Sequence, residues 1–227
     1  MKHSQSYLRI AAVMLITALT VLGCSKSKNL APLDLEKDYF PLTVGSNTVY
    51  AVDSTVYNDF NNTVTTYTFE LRDSVAQDIS ENGYQEVRIE RYKRKDGTEA
   101  WTFQKTISRK LIDVRAEEFI DNQRFVRLVF PPQLSRVWNG NTYNNIGAQE
   151  YIITASGSSQ TINGISFDQT VDVKEIDENN LVREDYAVAT YAKNVGLIRR
   201  EVKAVDKNIS TGQITRGYSY ILQIKSF

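Results

Sequence analysis

Period-two alternation dominates the chain after its first forty residues. Between Val64 and Val75, Tyr67, Phe69, Leu71 and Val75 share one parity, while Thr66, Thr68, Glu70 and Arg72 share the other. Successive side chains of a pleated strand point to opposite faces, so this pattern predicts a strand with one buried and one wet face. The residue types agree, since Thr, Tyr, Val and Phe suit a half-buried pleat. The same pattern predicts strands over residues 47–57, 64–77, 84–94, 99–109, 111–117, 124–130, 149–155, 165–176, 195–205 and 214–225. Turn-forming residues separate them at 58–62, 81–83, 95–97, 157–159 and 177–180. Asp96-Gly97 predicts a type I′ hairpin, whose two central residues both need positive φ. Residues 183–193, rich in alanine and followed by Asn194, are the one segment past the amino terminus that reads as a helix, with a strand nearly as well supported. About ten strands at short spacing predict an all-β fold: a curled antiparallel sheet or partly closed barrel, with little helix outside the amino terminus.

The amino terminus breaks this pattern. Lys2, His3 and Arg9 precede a nearly unbroken apolar run over residues 10–22. That length suits an export signal and is short for a membrane-spanning helix, which needs ~20 apolar residues. The run ends in Val21-Leu22-Gly23-Cys24, which resembles the lipobox of bacterial lipoproteins. The resemblance implies cleavage between Gly23 and Cys24, with acyl chains such as palmitate added to the Cys24 sulfur and amine. Each buried CH₂ contributes about 0.8 kcal/mol and one chain anchors only marginally, so a multiply acylated cysteine gives stable attachment. The expected organisation is a cleaved signal peptide over 1–23, a lipidated cysteine and flexible tether over 24–38, and one β domain over 39–227. A flexible tether of this length spans roughly 20 Å, which keeps the domain near the bilayer. Ser25 stands where inner-membrane lipoproteins tend to have Asp, so the resemblance favours the outer membrane. Ser25-Lys26-Ser27-Lys28 has no acid of the kind that accompanies surface export, which favours the periplasmic face.

Composition narrows the chemistry. Of 227 residues, both methionines, the one histidine and the one cysteine fall within the first 24. The mature chain then carries no histidine and a single, acylated cysteine. This excludes a disulfide, a Cys/His zinc site, a Ser-His-Asp or Cys-His nucleophile pair and a histidine proton shuttle. Losing Lys2 and Arg9 leaves 25 basic against 27 acidic residues, a net charge of −2. Such a balance opposes a dedicated nucleic-acid binder. No phosphate loop, dinucleotide glycine pattern or zincin motif is present, and no cofactor or metal is expected.

Three constellations remain. Phe40, Trp101, Phe130 and Trp138 could line a pocket for an apolar ligand, although aromatic side chains more often fill cores. The carboxylates Glu117-Glu118, Asp168, Asp172, Glu175, Asp177-Glu178 and Glu184-Asp185 could serve a glycan hydrolase that uses Asp and Glu alone. They read better as a solvated face, and this activity ranks last. The basic run Arg88, Arg91, Lys93, Arg94 and Lys95 could meet anionic headgroups, but Glu90 and Asp96 interrupt it, so it reads as a guarded strand end. Residues 40–45 (Phe-Pro-Leu-Thr-Val-Gly) faintly echo residues 130–135 (Phe-Pro-Pro-Gln-Leu-Ser), too weakly to divide the domain.

Three motifs carry a wider resemblance: Phe40-Pro41-Leu42 with Gly45, Phe130-Pro131 with Trp138-Asn139-Gly140, and Asn194-Val195-Gly196-Leu197. Together they resemble an uncharacterised group of bacterial envelope lipoproteins with an early FPL-x-x-G lead-in and a late VGL strand start. Those proteins often have an aromatic where this chain has Thr48, and Gly where it has Asn194. The resemblance implies a curled antiparallel sheet exported to the envelope, and no activity. The expected role is a membrane-anchored binding or scaffolding module without enzymatic function. A carrier of an apolar ligand in a curled-sheet cavity is the alternative; the candidate ligands are an apolar molecule or a glycan.

Overall fold

Inward apolar rows on successive strands curl the sheet around a filled interior. The computed structural model describes residues 33–227. The leader, Gly23, Cys24 and the tether before Leu33 lie outside the described residues, and the compact unit begins at Leu35. A 3₁₀ turn over Lys37–Tyr39 leads into β1 (Asn47–Asn58), β2 (Thr63–Asp78), β3 (Gln85–Arg94), β4 (Thr102–Ile112), β5 (Arg115–Ile120) and β6 (Gln123–Val129). Then follow β7 (Val137–Asn139), β8 (Glu150–Ile162), β9 (Ile165–Asn179), β10 (Arg183–Ala192), β11 (Gly196–Lys207) and β12 (Ile214–Ser226). All pair antiparallel in one sheet, ordered β6-β5-β4-β3-β2-β1-β12-β11-β10-β9-β8-β7.

The all-β, curled antiparallel expectation holds, with twelve strands instead of about ten. β7 is too short to show a period. β10 takes the strand alternative because it pairs with β9 on one side and β11 on the other, and this pairing overrides its alanine content.

Two expected turns are corrected. Neither Asp96 nor Gly97 has positive φ. β3 and β4 are joined by a longer connection, in which the Asp96 carboxylate accepts from the Thr98 N–H at 2.9 Å and its hydroxyl at 2.6 Å. Paired positive φ occurs instead at Asp121-Asn122 (51° and 59°) and Asn163-Gly164 (51° and 79°), which close β5–β6 and β8–β9. The expected separator at 157–159 lies within β8, where the register slips around Ser158. Gly157 there marks a bulge and not a chain reversal.

The faint echo proves to be structural. Five residues after each Phe, the backbone takes positive φ: 88° at Gly45 and 65° at Ser135. Gly45 N–H donates to Val75 O at 2.8 Å, and Val75 N–H returns a bond to Ser46 O at 3.0 Å. Ser135 N–H donates to Ile153 O at 2.8 Å, and Ile153 N–H returns one to Arg136 O at 3.0 Å. The same turn thus feeds β1 beside β2 and β7 beside β8. The domain is two six-stranded meanders, β1–β6 and β7–β12. Each lead-in also docks on the other half. Asn194 N–H, in the β10–β11 turn, donates to Asp38 O at 2.8 Å, and Phe130 N–H donates to Val114 O, in the β4–β5 turn, at 2.7 Å.

β1 and β12 form one seam between the halves. At the other, Val126 N–H of β6 donates to Gly140 O at 2.8 Å and Trp138 Nε1–H to Val126 O at 2.9 Å. The sheet is therefore a nearly closed barrel. Both lead-ins and the β4–β5 and β10–β11 turns share its lower end. Antiparallel alternation puts the β5–β6 and β11–β12 turns at the upper end.

Candidate functional site

Six strands carry a charged residue on their inward, apolar parity. Asp73 follows Phe69 and Leu71, Arg91 follows Val87 and Ile89, and Arg109 sits between Ile107 and Leu111. Glu118 follows Ala116, Glu175 follows Val171 and Val173, and Arg200 follows Ile198. Arg127 of β6 joins them. Where the two meanders correspond, the charges swap sign: Val87-x-Ile89-x-Arg91 matches Val171-x-Val173-x-Glu175, and Ala116-x-Glu118 matches Ile198-x-Arg200. The halves are thereby complementary at the waist of the barrel.

The seven groups form one alternating chain. Asp73 accepts from Arg91 Nε at 2.6 Å and Nη2 at 2.8 Å, and from Arg109 Nη2 at 3.0 Å. Glu118 accepts from Arg109 Nε at 3.0 Å and Arg127 Nε at 3.1 Å. Glu175 accepts from Arg127 Nη1 at 3.5 Å and from Arg200 Nη2. The order is Arg91–Asp73–Arg109–Glu118–Arg127–Glu175–Arg200, with every carboxylate between two guanidiniums. Burial works to raise the Glu118 pKa, but Arg127, Arg109 and Arg91 outweigh it and hold this carboxyl well below the usual range. Burial likewise opposes ionisation of Asp73, and Arg91 and Arg109 overcome it. Burial raises the Tyr151 phenol to about 12, with Glu175 adding to the shift.

Space lies on both sides of this layer. Below it is a cavity of about 50 Å³ lined by Phe40, Tyr50, Arg109, Tyr191 and Arg200. That holds a few water molecules and not an acyl chain. Above it is an open cleft of about 250 Å³, reached by Arg91, Arg127 and Arg200 and walled by Phe125, Tyr220 and Leu222. Among the described residues no group of three or more His, Cys, Asp or Glu side chains is placed to hold a metal ion.

The four aromatics singled out from sequence do not line one pocket. Phe40 and Phe130 are buried in one core cluster, with Trp138 packed against it. Trp138 meets Tyr151 edge-on at 5.8 Å. Trp101 lies apart on the outer face, under the guanidiniums of Arg94 at 4.2 Å and Arg72 at 4.8 Å. Of these four, only Phe40 borders the lower cavity. The motifs that carry Phe40 and Phe130 serve the lower end of the barrel. Gly196, at φ 91°, lets the β10–β11 turn lie against Pro41; a Cβ there would stand 3.3 Å from the proline ring.

The solvated-face reading of the acids is corrected for three of them. Glu118 and Glu175 are buried in the layer, and Glu117 is buried on the opposite parity beneath Arg115 (2.6 Å) and Arg124 (2.8 Å). Asp168, Asp177 and Glu178 are exposed as expected. The basic run is largely neutralised: Arg91 joins the layer, Arg94 pairs with Glu70 at 2.6 Å, and Arg88 with Glu90 at 3.5 Å. The ionic layer itself was missed. Its signal was a charge on the apolar parity of strand after strand, beginning with Asp73 between Leu71 and Val75.

Fold and site define a duplicated, nearly closed antiparallel barrel crossed by an ion-pair chain. No family profile and no curated protein matches the sequence. Among solved structures, the chain is similar to a proposed exported protein with a YmcC-like fold from Bacteroides fragilis, at 12% identity and a TM-score of 0.45. It is also similar to a proposed lipoprotein from Parabacteroides distasonis, at 14% identity and a TM-score of 0.37. Each comparison covers 82% of this chain and 98% of the other.

Proposed function

We propose that this protein is a cell-envelope protein anchored through acylated Cys24 that binds or scaffolds and performs no chemistry of its own. The observation that carries the second half is the alternating chain. Acid–base catalysis by carboxylates alone needs one that holds a proton near neutral pH. Asp73 and Glu118 are pushed the other way by their arginines. Arginine does not give up its proton. A glycan hydrolase that used Asp73 or Glu118 would therefore lack a general acid there. The anchor rests on the leader and on Gly23-Cys24, and Ser25 favours the outer membrane with the domain on its periplasmic face.

Membrane fractionation with acyl labelling tests the anchor. Cys24→Ala is expected to abolish label and to leave an uncleaved precursor or a soluble product. Label that persists in the variant overturns the assignment.

A further inference from the structure

The ion-pair chain ends in arginine on both sides. Four guanidiniums alternate with three carboxylates, so the layer carries one uncompensated positive charge. Arg109 and Arg127 each lie between two acids. The terminal residues have one acid each: among the described residues Arg91 pairs only with Asp73, and Arg200 only with Glu175. Arg91 Nη1 and Arg200 Nε and Nη1 meet no protein acceptor among the described residues, and none of these atoms is sealed from solvent. A buried cation without a counter-charge is costly, and a guanidinium with free donors is suited to bind an oxyanion through parallel bonds.

Both ends of the chain open on the same place. Arg91 and Arg200 line the upper cleft together with Arg127. An anion there would complete the alternation and turn the open chain into a ring of four cations and four anions. The rest of the wall is Ile120, Phe125, Leu197, Tyr220 and Leu222, with Gln123 at the rim and two carboxylates that already have cations: Glu118 on Arg109 and Arg127, and Asp121 on Lys105. At about 250 Å³ the cleft takes a small molecule and not a polymer in its depth. We propose that this cleft binds a small organic oxyanion, a carboxylate or phosphate monoester, with its charge between Arg91 and Arg200 and its apolar body against Phe125, Tyr220 and Leu222. This deepens the binding role proposed above and is independent of the anchor: fractionation of Cys24→Ala judges the anchor, and ligand titration judges the cleft.

The test is a ¹⁹F NMR titration of the full-length chain in detergent at fixed ionic strength, with detergent alone as the blank. The probes are 4-fluorobenzoate, 4-fluorophenyl phosphate and the neutral 4-fluorobenzyl alcohol. Saturable binding of either anion is expected, with the alcohol weaker by about tenfold or more, since it forgoes a charge-assisted pair. Arg200→Gln is expected to weaken the anion by a similar factor. Gln123→Trp, which fills the cleft at its rim without changing charge, should abolish binding. If Arg200→Gln does not fold, Gln123→Trp decides. Absence of saturable anion binding, an alcohol that binds as well as the anions, or wild-type affinity in the folded variants overturns the proposal.

Discussion

Glu118→Gln removes the central negative charge of the ionic layer while keeping the side chain's shape. In the native protein this carboxylate is about 11% exposed and holds Arg109 at 3.0 Å and Arg127 at 3.1 Å. The substitution leaves both guanidiniums facing a neutral amide, with only Asp73 and Glu175 to balance four arginines. Removing one partner of a buried ion pair costs about 3–5 kcal/mol, chiefly because the remaining charge stays buried. Glutamine keeps one acceptor oxygen, so the lower part of that range is expected. This is a large share of the roughly 5–15 kcal/mol by which domains are stable. Urea unfolding of the full-length chain in detergent, followed by far-UV circular dichroism, should show a lower midpoint with an unchanged slope.

The effect should also depend on pH with a defined sign. The Glu118 pKa is depressed in the folded state, so its contribution is complete above the unfolded value near ~4.3 and is lost as pH falls through the lower folded value. Wild type therefore loses stability on acidification that Glu118→Gln has already lost, and the two curves converge toward low pH. Asp121→Asn, which breaks an exposed pair with Lys105, should cost no more than about 0.5 kcal/mol. A cost below about 1 kcal/mol for Glu118→Gln, or a gap that stays constant with pH, would refute the description of the layer as buried and coupled.

Two packing predictions follow from the lower end and the second seam. A Cβ at Gly140 would stand 2.3 Å from the Tyr151 ring, so Gly140→Ala should displace that ring and cost about 1–3 kcal/mol, read as a shift in the urea midpoint. Gly97→Ala is its control, with only Arg94 Nη2 at 3.9 Å and an ordinary φ, and should be nearly neutral. Phe130 is fully buried in the lower core, so Phe130→Ala should cost about 3–5 kcal/mol by the same measurement. A loss under about 1 kcal/mol there would mean that the lead-in of the second half does not plug the barrel.

Alternation alone was enough to place the long strands. Residues 47–57, 64–77 and 214–225 differ from β1, β2 and β12 by a residue or so at their ends, because one face of each is buried and the period is two. The proposed leader and its Gly23-Cys24 end are local sequence features, and reading them needs no fold. Other features had no local mark. Asp96-Gly97 has the composition of a tight hairpin, but the connection beyond Arg94 is longer and Asp96 spends its carboxylate on Thr98. Residues 40–45 and 130–135 share only Phe-Pro in sequence. What they have in common is a backbone turn and a hydrogen-bond exchange with the neighbouring strand, which side-chain identity scarcely constrains.

The site divides along the same line. That Asp73, Arg91, Arg109, Glu118, Glu175 and Arg200 lie on inward parities follows from counting along each strand. Which acid meets which base depends on strand order, on the register of each ladder and on the curl that brings β6 to face β9 and β11. Those relations span up to the whole length of the barrel. Ion pairing acts over a few ångströms in space and is blind to separation along the chain, so the neutralised waist and its one surplus charge exist only in the assembled sheet.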